Sequence, residues 1–172
     1  MSKYVVVDVE SDGNLLGTHS MVCFGAVIVE KGLSKTFYGQ TKPISTIYDL
    51  EALAISGFTR QEHESFHNPK SVFEDFTKWL KENIGDKPIL ITDNNGYDAS
   101  WINWYMLTYC GKNPFGWSSR RIGDIFCGWN NDMYYKWKKH RVTTHTHHPV
   151  DDAKGNAEAL LYLESQGFKL FK

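Results

Sequence analysis

The chain opens on Tyr4-Val5-Val6-Val7-Asp8-Val9-Glu10-Ser11-Asp12-Gly13, an apolar strand pattern that carries acids on one side. Because a β-strand alternates faces, Asp8 and Glu10 share one face while Val5, Val7 and Val9 take the other. The valines call for a central, mostly buried strand. Carboxylates held side by side on such a strand raise each other's pKa unless a cation lies between them. No basic residue stands next to them, so a divalent metal is the natural occupant. Hard oxygen ligands select Mg²⁺ or Mn²⁺ over Zn²⁺. The competing reading is an edge strand with one solvated face. Further carboxylates arriving from other elements would decide between them.

At 172 residues the chain is expected to form one domain, spanning 1–172, with a proper core. A formal charge of −1 confines any nucleic-acid contact to a local patch. Cys23, Cys110 and Cys127 are odd in number and form no C-x-x-C, which argues against a disulfide framework or zinc ribbon and for a reducing cytosol. The first residues carry no basic leader, and no apolar run reaches membrane-spanning length. The expectation is a soluble cytoplasmic protein without membrane contact.

Residues 3–9, 21–30 and 34–41 read as a three-stranded meander with a turn at Lys31-Gly32. Short helices are expected over Tyr48 to Ala54 and Thr59 to Phe66. A longer one opens on Asn68-Pro69 and closes at Gly85, with Val72, Phe73, Phe76, Trp79, Leu80 and Ile84 at helical spacing. Pro88 to Thr92 reads as a strand, Asp93-Asn94-Asn95-Gly96 as a turn, and Tyr97 to about Cys110 as a helix. Arg121 to Asp124 is expected as a last strand, followed by helices from about Ile125 to Lys138 and from Val150 to Ser165. This order describes an α/β unit with a mixed sheet and helices on its faces.

More acids then appear at helix starts. Asp98 heads a stripe of Ile102, Tyr105, Met106 and Tyr109, so it points toward the sheet, and an inward acid needs a partner. Asp151 and Asp152 open the last helix, where the helix dipole alone could account for them. The small residues Ala153, Gly155, Ala157 and Ala159 that follow would let this helix approach the sheet and bring Asp152 toward Asp8 and Glu10. His145, His147 and His148 just ahead of it admit a zinc site, a solvated loop, or a general base acting near neutral pH.

Asp8-x-Glu10, Asp98 in Gly-Tyr-Asp, and His147-x-x-x-x-Asp152-Ala153 resemble, in order, the three motifs of the DEDDh (DnaQ-like) 3′-5′ exonuclease superfamily. The match spans almost the whole chain. Its compact size and motif forms look most like the small RNase AS-like exoribonucleases, and Pro43 to Thr59 is similar to the connection between the first two motifs. The resemblance implies an RNase H-like fold, with a central mixed five-stranded sheet flanked by helices on both faces. It also implies two divalent ions, Mg²⁺ or Mn²⁺, held by Asp8, Glu10, Asp98 and Asp152, with His147 as general base and nucleoside 5′-monophosphates as products. The family interval selects His147, and His148 stands as a substitute. The first motif departs from its relatives by continuing Ser11-Asp12-Gly13 where many have Thr-Thr-Gly.

The implied partner is a single-stranded 3′ end of RNA or DNA, with RNA favoured, and a homodimer is compatible with the family. Ser11 and Gly13 are candidates for backbone contacts to the terminal nucleotide. Trp137, Lys138 and Arg141 are candidates for stacking and phosphate contact, against the plainer reading of a solvated helix end. Trp101 and Trp104 suit packing or a dimer surface, and Asp124 suits a cap. Three other functions remain open: a DNA-directed 3′-5′ exonuclease, a non-catalytic nucleic-acid-binding module on the same scaffold, and a histidine-cluster metal protein. Full occupancy of the motif positions speaks against the module. Zn²⁺ uptake that survives Asp8→Ala would mark the histidine cluster.

Overall fold

The computed structural model describes residues 3–170; the ends of the expected 1–172 domain lie outside the described residues. Five strands form one sheet in the order β3-β2-β1-β4-β5, with β1 Tyr4–Ser11, β2 Met21–Ile28, β3 Thr36–Gln40, β4 Ile89–Thr92 and β5 Ser119–Arg121. The meander β1-β2-β3 is antiparallel, while β4 and β5 add in parallel. The acidic strand is therefore central, as its valines require.

Val5, Val7 and Val9 face one core, built with α3 (Pro69–Asn83) and α4 (Ser100–Cys110); Val6 faces another, built with α5 (Ile122–Asn130) and α6 (Pro149–Ser165). Two short helices, α1 (Leu50–Ile55) and α2 (Arg60–Glu64), lie between β3 and α3. The Asn68 side chain caps α3 by accepting the Lys70 N–H at 2.9 Å, with Pro69 in the first turn, and Gly85 beyond the helix has φ +83°. Ile102, Tyr105 and Met106 are fully buried on α4, and Trp101 packs with them, so packing is its role.

Four sequence expectations are corrected. The last strand is Ser119–Arg121, not Arg121 to Asp124, because Ile122 already begins α5. That helix stops at Asn130, where Asn131 turns left-handed (φ +51°); the expected extension to Lys138 ignored this C-cap. Trp137–His140 forms a separate 3₁₀ turn. The segment Asn95–Ala99, expected as turn and first α-helical turn, is instead a wide π-type turn leading into α4. Asp124 is not a cap; it pairs with Arg121 at 2.9 Å on the surface.

Candidate active site

β1 supplies Asp8 and Glu10 on the face covered by α6, since Val6 of the same parity lies in the α6 core. In the antiparallel register Asp8 stands opposite Gly25, and Glu10 opposite Cys23. A Cβ at Gly25 would meet the Pro149 carbonyl carbon and the Val150 nitrogen at 2.3 Å. The sheet has thus given up a side chain so that the first turn of α6 can rest on its backbone. Asp152, in that turn, is brought to Asp8 and Glu10: the three carboxylates offer oxygens that all lie within 4.8 Å of one another.

Sequence reasoning credited Gly155 with letting α6 approach the sheet. The structure gives it another task. A Cβ there would lie 2.4 Å from Arg141 Nε, so Gly155 makes room for the arginine. Arg141 Nη2 donates to Asp152 Oδ1 at 2.7 Å, and His145 Nδ1 lies 2.7 Å from the same oxygen. The His147 N–H donates to Asp152 Oδ2 at 3.0 Å. Asp152 is 1% exposed and held from several sides.

Asp98 reaches the centre from the other side of β1. It is buried in the π-type turn, and its oxygens accept the Val9 N–H at 3.3 Å and the Asn94 N–H at 3.0 Å. The bond to Val9 ties the turn to the strand between the two acids. Asp93 is an acid that sequence reasoning treated only as a turn residue. In the parallel register Val6 meets Ile91, so the next residues along bring Asp93 to the level of Asp8. Its charge adds to the pKa rise at both Asp8 and Asp98, and Lys138 Nζ answers it at 2.6 Å. The missed signal was position: the residue just past a strand parallel to β1.

Burial and mutual repulsion raise Asp8, Glu10 and Asp98. Asp8 lies well above the usual carboxylate range, first from burial and then from Asp98, Asp152, Glu10 and Asp93. Burial, with Asp152 and Asp98 adding, lifts Glu10 to about 7. Asp98 is raised to about 7 by burial, against the lowering effect of its backbone hydrogen bonds. An all-oxygen, mutually repelling donor set suits a hard divalent cation, which would relieve each of these costs.

The adjacent histidines diverge. His147 Nδ1 lies 3.7 Å from Glu10 Oε1, with the ring half exposed. His148 turns away, its ring against Tyr38 at 4.8 Å between centroids and its Nδ1 4.0 Å from Asp151. His147 adopts φ +60°, an uncommon conformation for a residue with a Cβ, and this places consecutive rings in different surroundings.

The expected substrate contacts fare differently. The Ser11 hydroxyl is buried and hydrogen-bonded to the Gly13 carbonyl and the Tyr97 hydroxyl, so it fastens the loop to the π-type turn. Gly13 has no space for a Cβ, which would strike the His19 ring. The loop is anchored further by Asp12, which pairs with Arg60 at 2.9 Å and accepts the Ser20 N–H. Trp137 is corrected: at 6% exposure it packs with Phe126 in the α6 core and offers no free face to a base. Arg141 is likewise committed to Asp152, and Lys138 reaches Asp93 with its stem in solvent.

Comparison with known proteins agrees with this geometry. Residues 3–163 match the family model described as the 3′-5′ exoribonuclease Rv2179c-like domain. The 3′-5′ DNA exonuclease Cap18 of Escherichia coli is 30% identical over 128 residues, covering 73% of this chain and 68% of that protein. Among solved structures, the nuclease domain of 3′hExo, a DEDDh family member bound to rAMP, superposes with a TM-score of 0.79 at 19% identity, over 98% of this chain and 94% of that one. E. coli Exonuclease I in complex with a dA16 oligonucleotide gives 0.73 at 15% identity, over 98% of this chain but 42% of its own length. The fold is that of the DEDDh exonucleases, the RNase H-like fold.

Proposed function

The chain belongs to the family of 3′-5′ exoribonuclease Rv2179c-like domains, and on that footing we propose that it releases nucleoside 5′-monophosphates one at a time from the 3′ end of single-stranded nucleic acid, RNA before DNA. The observation that carries the reading is the convergence of Asp8, Glu10 and Asp152 within 4.8 Å, deep in the sheet–helix junction, with Asp98 beside them. Asp8, Glu10 and Asp152 would hold divalent cations, Mg²⁺ or Mn²⁺, and Asp98 would add a ligand directly or through water. When bound, such ions would supply Lewis-acid stabilisation of the phosphodiester displacement and lower the pKa of the attacking water.

The protein's own groups do the rest. His147, beside Glu10 and open to solvent, accepts a proton from the attacking water and passes it outward. Arg141 and the His147 N–H fix the Asp152 carboxylate. The Ser11–Tyr97 contact holds the Gly13 loop, whose backbone would meet the terminal nucleotide. Lys138, projecting beside Asp93, is the remaining cation suited to a phosphate. Residues 1–172 would act as one exonuclease domain. Free Cys23, Cys110 and Cys127 suit a cytoplasmic setting; among the described residues no helix is long and apolar enough to cross a membrane.

A second reading is favoured by one finding: Cap18 is a DNA exonuclease. Matched 5′-labelled RNA and DNA oligonucleotides, single- and double-stranded, incubated with Mg²⁺, Mn²⁺ or EDTA, separate the two. A metal-dependent 3′-shortening ladder on RNA supports the first reading, and a ladder on DNA alone supports the second. No degradation with any metal would leave only a binding module.

A further inference from the structure

Asp152 belongs to a second group of ligand atoms. His145, His147 and Asp152 each offer a donor, and these donors all lie within 4.8 Å of one another. The imidazole centroids are 4.3 Å apart, and both side chains are about half exposed, so the pair is open to solvent. This group differs in chemistry from the carboxylate cluster. Paired nitrogens with one carboxylate are a poor match for Mg²⁺ and a good one for Zn²⁺, which binds imidazole and carboxylate in open sites with three protein ligands.

The backbone favours the arrangement. His147 is held left-handed at φ +60°, and its own N–H bonds to Asp152, so the loop folds both rings over the carboxylate. His145 already lies 2.7 Å from Asp152 Oδ1. The His148 ring is elsewhere, against Tyr38.

We propose that His145, His147 and Asp152 form a zinc site whose occupancy switches the nuclease off. The inhibitory half rests on the catalytic reading of His147 and Asp152; the binding half does not. A ligated imidazole has given its lone pair to the metal and can no longer take a proton from water. Asp152, shared with Asp8 and Glu10, is engaged at the same time. Zinc would thus remove the base and occupy a ligand of the hard-cation site in one event.

Calorimetry with ZnCl₂ on the wild-type chain, Asp8→Asn and His145→Ala tests the binding. Wild type and Asp8→Asn should bind zinc alike, and His145→Ala should bind it at least about tenfold more weakly, since even losing an outer-shell partner costs about 10–100-fold. In parallel, hydrolysis at saturating Mg²⁺ is titrated with zinc and each variant is normalised to its own zinc-free rate. The inhibition curve of His145→Ala should move to higher zinc by the same factor. Zinc binding that vanishes in Asp8→Asn would put the ion among the carboxylates and overturn the proposal. So would unchanged binding in His145→Ala, or zinc that sustains hydrolysis by itself. Absence of hydrolysis by the zinc-free wild type would count against the nuclease reading, and the calorimetry would still judge the site.

Discussion

Gly25 of β2 and Pro149 of α6 are in backbone contact, with no space between them for even a Cβ at position 25. Since Gly25 is also the register partner of Asp8, this bare position in the sheet lies where the acids must meet. Gly25→Ala must push α6 outward or twist β2, at a cost of about 1–3 kcal/mol for overpacking. We expect a lower melting temperature, and a fall in hydrolysis in the still-folded fraction that exceeds the loss of folded protein. Circular dichroism melts beside activity at low temperature check this. A folded Gly25→Ala protein with full activity would show that Asp152 needs no such close approach.

The raised acids set a pH dependence of stability. Glu10 and Asp98 titrate near 7 in the fold, against ordinary carboxylate values when unfolded. Between those limits the native state binds more protons than the unfolded state, so stability falls as pH rises. Chelated protein should therefore melt progressively lower from about pH 4.5 to about pH 7.5, and Mg²⁺ or Mn²⁺ should restore the loss at the upper end. Melts of EDTA-treated protein across this window measure it. A stability that climbs with pH instead would contradict the assigned shifts.

Asp8→Asn removes a buried group whose ionised form burial and the neighbouring acids oppose. In the absence of metal at neutral pH we expect this variant to be more thermostable than wild type. Its hydrolysis should fall roughly a thousandfold or more, as loss of several kcal/mol of metal-borne stabilisation implies. Stability and activity moving in opposite directions is the signature. A variant that loses both would indicate a merely structural acid.

For the base, His147→Ala should lower turnover by about 10²–10⁴-fold, the usual worth of a general base. His148→Ala, which loses a ring contact with Tyr38, should retain most of the rate. Rates on one labelled oligonucleotide decide, and a reversed ranking would move the role to His148.

The central strand and the helices over it could be read from hydrophobic period, because valine alternation on β1 and the Asn68-Pro69 start of α3 are local signals. The α5 end was not legible: Trp129 to Lys138 keeps a helix-like mix of aromatics and cations, while the left-handed Asn131 that ends the helix leaves only a weak mark in sequence. Gly25 escaped notice because its partner is the backbone of a helix far along the chain. Asp93 escaped because its nearness to Asp8 depends on β4 pairing in parallel with β1. Trp137 and Arg141 were misjudged for a related reason. A basic aromatic run looks like a surface, yet α6 folds over it, burying the indole against Phe126 and drawing the guanidinium inward to Asp152.

The separation of the acids along the chain bears on how the protein comes to life. Asp8 and Glu10 lie on β1 and Asp152 on α6, with Asp98 needed from the π-type turn that follows β4. Contacts between residues so distant form late, after the loop entropy between them has been overcome. During synthesis the acidic strand emerges with nothing to complete it. The proposed centre exists only once α6 has docked on Gly25, so hydrolysis would be the last property the folding chain acquires, and a sensitive reporter of that final docking step.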